Sequence, residues 1–428
     1  MSTAGRPQGA NCAPSGGSEA ATAASVGAHK TNHGPLAGLR VLDLTRLLPG
    51  PVCTLYLADL GADVVKIEDT GAGDYARNLG NRPGTVSAFF RAVNRNKRSA
   101  ALSLKDARGR EAFTALVKHA DVVVEGFRPG VVANLAVDYE TLAGINPRIV
   151  YASISGYGQD GPRAMAAGHD INYLGYAGVL EQTGTRDGPP ALCNLQIADL
   201  LGGAAAAAIG ILAALVGTQR TGRGRYVDVA MADAALAHNI FALHALTQWG
   251  RTLPRGEDLL TGGVPCYGVY GTQDGRWLAV GALEDKFWQT LCSTIERPDL
   301  ARGGLALGEE GRSVRRALET IFAAAPLAHW IERFADVDCC VTPVNTLDEA
   351  LVDPQFVARG MVVERPDGSR QYAPPFKVSG HDFVVTRDAP AHGEHTADVL
   401  REAGYDDAGI AALVADGAIA IAVARADG

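Results

Sequence analysis

Several common marks of protein class are missing from this chain. No two of its seven cysteines, Cys12, Cys53, Cys193, Cys266, Cys292, Cys339 and Cys340, form a C-x-x-C pair, and their number is odd. The pattern excludes a disulfide framework and a structural zinc site, predicts a reducing compartment, and leaves the cysteines in apolar surroundings as buried thiols. Basic runs are missing as well. With 39 Lys and Arg against 47 Asp and Glu, the net charge is −8, which argues against a nucleic-acid binder and for an ordinary soluble enzyme. Residues 1–33 are rich in Gly, Ala, Ser, Thr and Asn and lack an apolar h-region, so neither a secretory nor an Arg-rich transit peptide fits and a disordered tail is expected. Long apolar runs are scarce. Only Leu200 to Gly217 reaches membrane-spanning length without a charge, but it is mostly Ala and Gly, with Asp199 before it and Arg220, Arg223 and Arg225 after. That composition predicts a closely packed core helix. There is no internal repeat or coiled-coil heptad.

What is present is a globular pattern: 428 residues, 47% hydrophobic, enough for a large core divided into two domains. The stretch Leu39 to Leu44 reads as a buried strand, Pro49-Gly50-Pro51 as a helix entry, Val52 to Leu60 as a helix and Asp63 to Glu68 as a second strand. The alternation continues through strand Ser99 to Leu104, helix Ala107 to His119, strand Asp121 to Val124, helix Val131 to Leu135 and strand Arg148 to Ile154, which predicts an α/β, Rossmann-like parallel sheet. Glu68 stands where dinucleotide folds place a ribose-binding carboxylate. The turn after the first strand has no G-x-G-x-x-G, however, so nicotinamide chemistry is not encoded. Strand Arg225 to Val229 and helix Ala232 to Trp249 follow. Beyond a polar linker the texture becomes antiparallel α+β, with a hairpin through Thr272-Gln-Asp-Gly275 and a helix from Asp285. The expected division is a large Rossmann-like domain over 34–228, a linker over 229–262, a smaller α+β domain over 263–353, a linker over 354–372 and a C-terminal segment over 373–428.

Two segments carry candidate chemistry. Gly168-His-Asp-Ile-Asn-Tyr173 and Asn194-Leu-Gln-Ile-Ala-Asp199 supply one imidazole, His169, and one carboxylate, Asp199, each opening an apolar helical run. Two unlike proton-transfer groups beside free backbone N–H groups suit chemistry next to a carbonyl. The plain alternative is a structural His and an N-cap Asp. Ligands of open parallel sheets bind beyond the carboxyl ends of the strands, where Lys105, Arg128 and Ser155-Gly-Tyr-Gly158 fall. Lys105 and Arg128 suit an anionic ligand, and Gly126 and Gly156 leave room for its approach, unless the two cations are ordinary solvated charges. Glu284 lies where the hairpin passes into its helix, an N-cap place that is also open to a third active-site role.

Together, Gly38-Leu-Arg-Val-Leu-Asp43, Leu60-Gly-Ala-Asp-Val-Val-Lys-Ile-Glu68, Asn94-Arg-Asn-Lys-Arg-Ser99, Val124-Glu-Gly-Phe-Arg-Pro-Gly130, Ser155-Gly-Tyr-Gly-Gln159, Gly168-His-Asp-Ile-Asn-Tyr173, Ala279-Val-Gly-Ala-Leu-Glu284 and Cys340-Val-Thr-Pro-Val344 resemble the family III CoA-transferases of the CaiB/BaiF type, and within them the α-methylacyl-CoA racemases. The resemblance runs from Gly34 to about Gly404. It implies His169 and Asp199 as two bases, with Glu284 close to the His. In related transferases the Asp is instead the acyl-carrying nucleophile, and the position of His169 is usually not His. The resemblance also implies a CoA-binding large domain, with CoA along Leu102, Ser103, Leu104 and Lys105, along Gly126, Phe127 and Arg128, and along Gly168, His169, Asp170, Ile171, Asn172 and Tyr173. It further implies an interlocked homodimer, the 373–428 segment returning to the large domain, and the small domain of one subunit closing over its partner. Two arginines that some racemases direct at the CoA nucleotide appear here as Asp69 and Asn134.

The expected reaction is racemisation of a 2-methylacyl-CoA thioester by 1,1-proton transfer through an enolate, in lipid metabolism in the cytoplasm. No metal and no cofactor beyond the CoA of the substrate are expected, nor a nucleic-acid or membrane partner. Backbone N–H groups near Asp170 are the expected donors to the enolate oxygen. The alternatives are a CoA-transferase with Asp199 as nucleophile and a non-catalytic CoA-binding protein.

Overall fold

The structure, a computed structural model, describes residues 34–80 and 86–422. The expected disordered tail lies outside the described residues. The first half alternates strand and helix: β1 (Arg40–Asp43), α1 (Pro49–Asp59), β2 (Asp63–Glu68), α2 (Ala88–Asn94), β3 (Lys97–Leu102), α3 (Ala107–Val117), β4 (Val122–Glu125), α4 (Val131–Asn134), α5 (Tyr139–Ile145) and β5 (Val150–Ser155). After α6 (Asp170–Tyr176), a π-helix (Ala198–Ala205) runs directly into α7 (Ala206–Thr221), followed by β6 (Tyr226–Ala230), α8 (Met231–Ala237) and α9 (Ile240–Trp249).

Because helices separate these strands, they align in parallel. The sheet order is β12-β3-β2-β1-β4-β5-β6, all parallel except the edge strand β12 (Ile419–Ala420), which runs antiparallel to β3. Parallel sheets are covered on both faces, and this one is. One apolar layer packs α1, the π-helix, α7 and α8 on the sheet through residues such as Leu57, Ala204, Ile211 and Met231. The other packs α3 and α5 through Phe113, Leu116 and Leu142. Helices α15 (Thr396–Glu402) and α16 (Asp407–Ala415) join that second layer through Leu400 and Leu413.

Beyond α9, β7 (Tyr267–Gly271) and β8 (Trp277–Gly281) form the expected hairpin. Its turn works because Gly275 takes φ +74° and Asp274 accepts from the Thr272 hydroxyl at 2.5 Å. Helices α10 (Asp285–Thr294), α11 (Gly308–Phe322) and α12 (Leu327–Phe334) and strand β9 (Val341–Pro343) complete a three-stranded antiparallel sheet with its own apolar core around Tyr270, Trp288, Phe322 and Trp330. Short helices α13 (Leu347–Leu351) and α14 (Pro354–Ala358) lead to the hairpin β10 (Val362–Glu364) and β11 (Arg370–Tyr372), which brackets Pro366-Asp-Gly368.

Several sequence expectations need correction. Strand β3 begins at Lys97 and ends at Leu102, two residues earlier than alternation suggested, because the fully buried Lys97 continues the strand inward. The helix expected over Ala232 to Trp249 is broken between α8 and α9. There His238 Nδ1 turns back to the Ala234 carbonyl at 2.7 Å and Asn239 Nδ2 donates to the Ala177 carbonyl at 3.2 Å, competing with the helix ladder. Helices α2 and α5 were not anticipated. Glu68 does not wait for a ribose: it is buried, receives Arg77 through 2.6 and 2.7 Å contacts, and accepts from Ser99 Oγ at 2.7 Å. Burial opposes its ionisation, but Arg77 and Lys66 win and hold the carboxyl down to about 2.

The run over Ala198–Thr221 is long and apolar enough to cross a membrane by composition, with mean hydropathy 2.2. Here Ala207, Ala208, Ile211, Ala214 and Leu215 are buried against the sheet layer, while Ile209 and Val216 face outward.

Candidate active site

The carboxyl ends of β1, β4 and β5 open into a cavity of about 480 Å³. Its walls bring together His169, Asn172, Tyr173 and Asp199 with Gly126, Phe127, Arg128 and Gly168. The sequence-predicted imidazole and carboxylate thus share one space.

Each is placed by a local device. His169 takes extended backbone as the N-cap of α6, and its N–H donates to Asn172 Oδ1 at 3.0 Å, so the imidazole is carried at the mouth of the helix. Asp199 lies in the first turn of the π-helix, a rare form often found at functional sites. That helix can lie close because it carries glycines. A Cβ on Gly202 would come within 2.9 Å of the Met231 carbonyl oxygen, and one on Gly203 within 2.5 Å of Pro49 Cβ. Asp170 links the two segments, its Oδ1 accepting the Asp199 N–H at 3.0 Å. Burial, and then the neighbouring Asp170, push the Asp199 carboxyl up to about 6, although the His169 imidazole pulls the other way.

Not every candidate is gathered here. Leu102, Ser103, Leu104 and Lys105 belong to the end of β3, separated from β4 by β2 and β1. Leu102 is buried in the sheet core, Ser103 N–H bonds the Ala418 carbonyl at 2.8 Å, Lys105 is exposed, and none of the four lines the cavity. Asp170 and Ile171 sit on α6 outside its walls. Glu284 is the N-cap residue of α10, exposed, its side chain makes no capping bond, and it does not line the cavity within the chain. Gly156 does line the cavity, but the space its missing side chain leaves is taken by Tyr173, whose ring a Cβ there would meet at 2.5 Å. Tyr173 is fixed by donating to the Gly168 carbonyl at 2.6 Å.

Sequence reasoning missed the β1–α1 loop and the first turn of α1. Thr45, Arg46, Leu47, Pro49 and Gly50 all line the cavity, and the only signal was Pro49-Gly50-Pro51 after the first strand. The Arg46 guanidinium lies 5.1 Å from the Tyr75 ring centre and 5.6 Å from that of Phe127, and pairs with Asp69 at 3.2 Å. Among the described residues, Arg46 and Arg128 are the arginines and lysines of the cavity wall. Glu125 was also missed. It is buried at the end of β4, bonded to Ser153 Oγ, and accepts the Phe127 N–H at 2.7 Å. Burial pushes its carboxyl up to about 8, so a neutral acid underlies the Gly126-Phe127-Arg128 rim. Among the described residues, no group of three or more His, Cys, Asp or Glu side chains is placed to hold a metal.

Residues 36–396 match the model of CoA-transferase family III. The chain is 36% identical over 376 residues to alpha-methylacyl-CoA racemase of Homo sapiens, covering 86% of this chain and 94% of that protein. It is equally similar, 37% over 378 residues, to acetyl-CoA:oxalate CoA-transferase of Acetobacter aceti, covering 86% and 96%. A solved structure of a CAIB/BAIF family protein from Brucella suis superposes with a TM-score of 0.76 at 31% identity, covering 86% of this chain and 99% of that one. With the family model spanning most of the described chain and a large parallel-sheet domain beneath the cavity, this protein belongs to CoA-transferase family III.

Proposed function

We propose that the protein racemises 2-methylacyl-CoA thioesters by two-base 1,1-proton transfer. The observation that carries this reading is that His169 and Asp199 line one cavity while burial and the neighbouring Asp170 push the Asp199 carboxyl up to about 6. An imidazole and a carboxylate that burial makes a better proton acceptor suit a reaction that must take up and return a proton. One base takes the α-proton and the electron pair moves onto the thioester oxygen as an enolate. The other then delivers a proton to the opposite face, and backbone N–H groups at the start of α6 stabilise the oxyanion. Arg128 and Arg46 receive phosphates of CoA, with Lys105 farther along its path.

The reading includes a homodimer. Ile240, Phe241, Leu243, Leu246 and Trp249 on α9 face outward, an exposed apolar helix suited to a second copy. In an interlocked arrangement Glu284 of one subunit would reach His169 of the other and orient it. A cytoplasmic location, no additional cofactor, and no nucleic-acid or membrane partner belong to the same proposal.

A second reading is favoured by the 37% identity to a CoA-transferase: Asp199 attacks an acyl-CoA and carries the acyl group as a mixed anhydride. One experiment separates the two. Purified protein is incubated with a 2-methylacyl-CoA in deuterated water without a second carboxylic acid. Racemisation with α-deuterium incorporation is expected; transfer of CoA to an added acid with no exchange would establish the transferase instead. Absence of both, with CoA still bound, would leave a non-catalytic binder.

A further inference from the structure

The β1–α1 loop that walls the cavity is gripped from beneath by charges that have no contact with water. Asp43, Lys66 and Lys97 are each 0% exposed and Asp74 is 1% exposed. Lys66 Nζ donates to the Thr45 carbonyl at 2.8 Å and lies 2.8 Å from Asp74 Oδ2. Asp74 Oδ1 accepts the Leu47 N–H at 3.1 Å and the Ala76 N–H at 2.9 Å. Asp43 accepts Thr45 N–H at 2.9 Å and the Thr54 hydroxyl at 2.6 Å, and pairs with Lys97 at 3.2 Å. Lys97 in turn donates to the Pro51 carbonyl at 2.8 Å. Thr45 and Pro51 are thus fixed by side chains from β1, β2 and β3, and Leu47 by Asp74 in the segment after β2. Leu47 is held at φ +64°, a left-handed conformation that costs a leucine free energy and persists only where surroundings impose it.

Energetics decide what such a cluster is for. Two buried lysines and two buried aspartates do not stabilise a sheet better than apolar side chains of similar volume, since desolvation offsets their attraction. Their product is geometry. Resting on the acyl-CoA reading of the cavity, we infer that Lys66–Asp74 and Lys97–Asp43 are positioning residues for the CoA thioester, holding the loop 45–50 in its binding shape before substrate arrives. None of the four lines the cavity.

The test compares two double substitutions that each remove a buried ion pair. Lys66→Met with Asp74→Asn drops the ammonium tying Asp74 to Thr45 while leaving an acceptor for Leu47 and Ala76. Arg95→Met with Asp59→Asn removes a pair of similar burial, 2.6 Å apart at the far end of α1, that does not touch the loop. CoA binding is measured by calorimetry, alongside KM and kcat. The first variant is expected to weaken CoA binding by about tenfold to a hundredfold, as small misplacements do, and the second to leave it unchanged. Equal weakening by both, or unchanged binding by a folded Lys66–Asp74 variant, overturns the inference. Hydrogen exchange on unliganded wild type tests it without substitution: the Leu47 amide should exchange slowly, and rapid exchange there overturns it even if the variants fail to fold. Wild type that does not bind CoA would instead defeat the acyl-CoA reading, while the exchange result still reports on the loop.

Discussion

The seven-stranded and three-stranded sheets bury different chemistry. Inside the large sheet lie Asp43, Lys66, Glu68, Lys97 and Glu125, whereas no charged side chain is buried between residues 264 and 341, where the core is Tyr270, Leu278, Trp288, Leu291, Phe322 and Trp330. Charge is buried where strand ends must shape loops around a cavity. An apolar core suffices where the sheet only carries groups such as Glu284 on its surface. The difference teaches that Lys66–Asp74 and Lys97–Asp43, unlike the equally buried Arg95–Asp59, serve the loop beside the cavity rather than extra stability, since breaking a buried pair costs more than the intact pair contributes.

The comparison breaks hardest at the cavity itself. His169→Ala and Asp199→Ala should each slow racemisation by roughly a hundred- to ten-thousand-fold with the fold intact by circular dichroism. A transferase would lose activity only with Asp199. In the three-stranded sheet the same severity should appear as stability. Phe322→Ala, removing a fully buried ring, should cost about 3–5 kcal/mol in denaturant unfolding, and a cost near zero would mean this core does not hold the sheet.

Glu125 sharpens the contrast through pH. Its folded carboxyl is pushed up to about 8 from an ordinary 4.5, so between those values the folded state holds a proton that the unfolded state has lost. Stability should therefore fall as pH rises from about 4.5 to 8 and level off above. Glu125→Gln should flatten that slope above about pH 6, where the raised Asp199 carboxyl no longer adds to it, and gain a few kcal/mol at pH 8, read from urea midpoints. An unchanged slope would show that another group carries it. The smallest effects concern the rim. Arg128→Ala should raise the KM for acyl-CoA severalfold with little change in kcat, and Lys105→Ala less, because only Arg128 lines the cavity. A larger effect at Lys105 would place the nucleotide end beyond β3.

Much of this was legible beforehand because it is local. Alternating buried strands and amphipathic helices announce a parallel sheet, the Thr272–Gly275 turn announces a hairpin, and residues 168–173 and 194–199 stood out by composition. The π-helix was not legible, since no residue pattern distinguishes it from α-helix and its close packing at Gly202 and Gly203 on Met231 and Pro49 is tertiary. Nor was the break at His238–Asn239, where side chains reach Ala234 and Ala177 carbonyls. Edge strand β12 is two residues long, too short for any period to show.

The sequence by itself determined the sheet class and nominated His169 and Asp199, because hydrophobic period and residue type are properties of short stretches. Only the tertiary structure decided that these two share a cavity, that Lys105 and Glu284 stand outside it within the chain, and that Lys66 and Lys97 are buried beneath the loop 45–50. The physical reason is that burial and electrostatic coupling depend on distances between residues far apart in the chain, such as Asp43 and Lys97, which meet only when β1, β2 and β3 align.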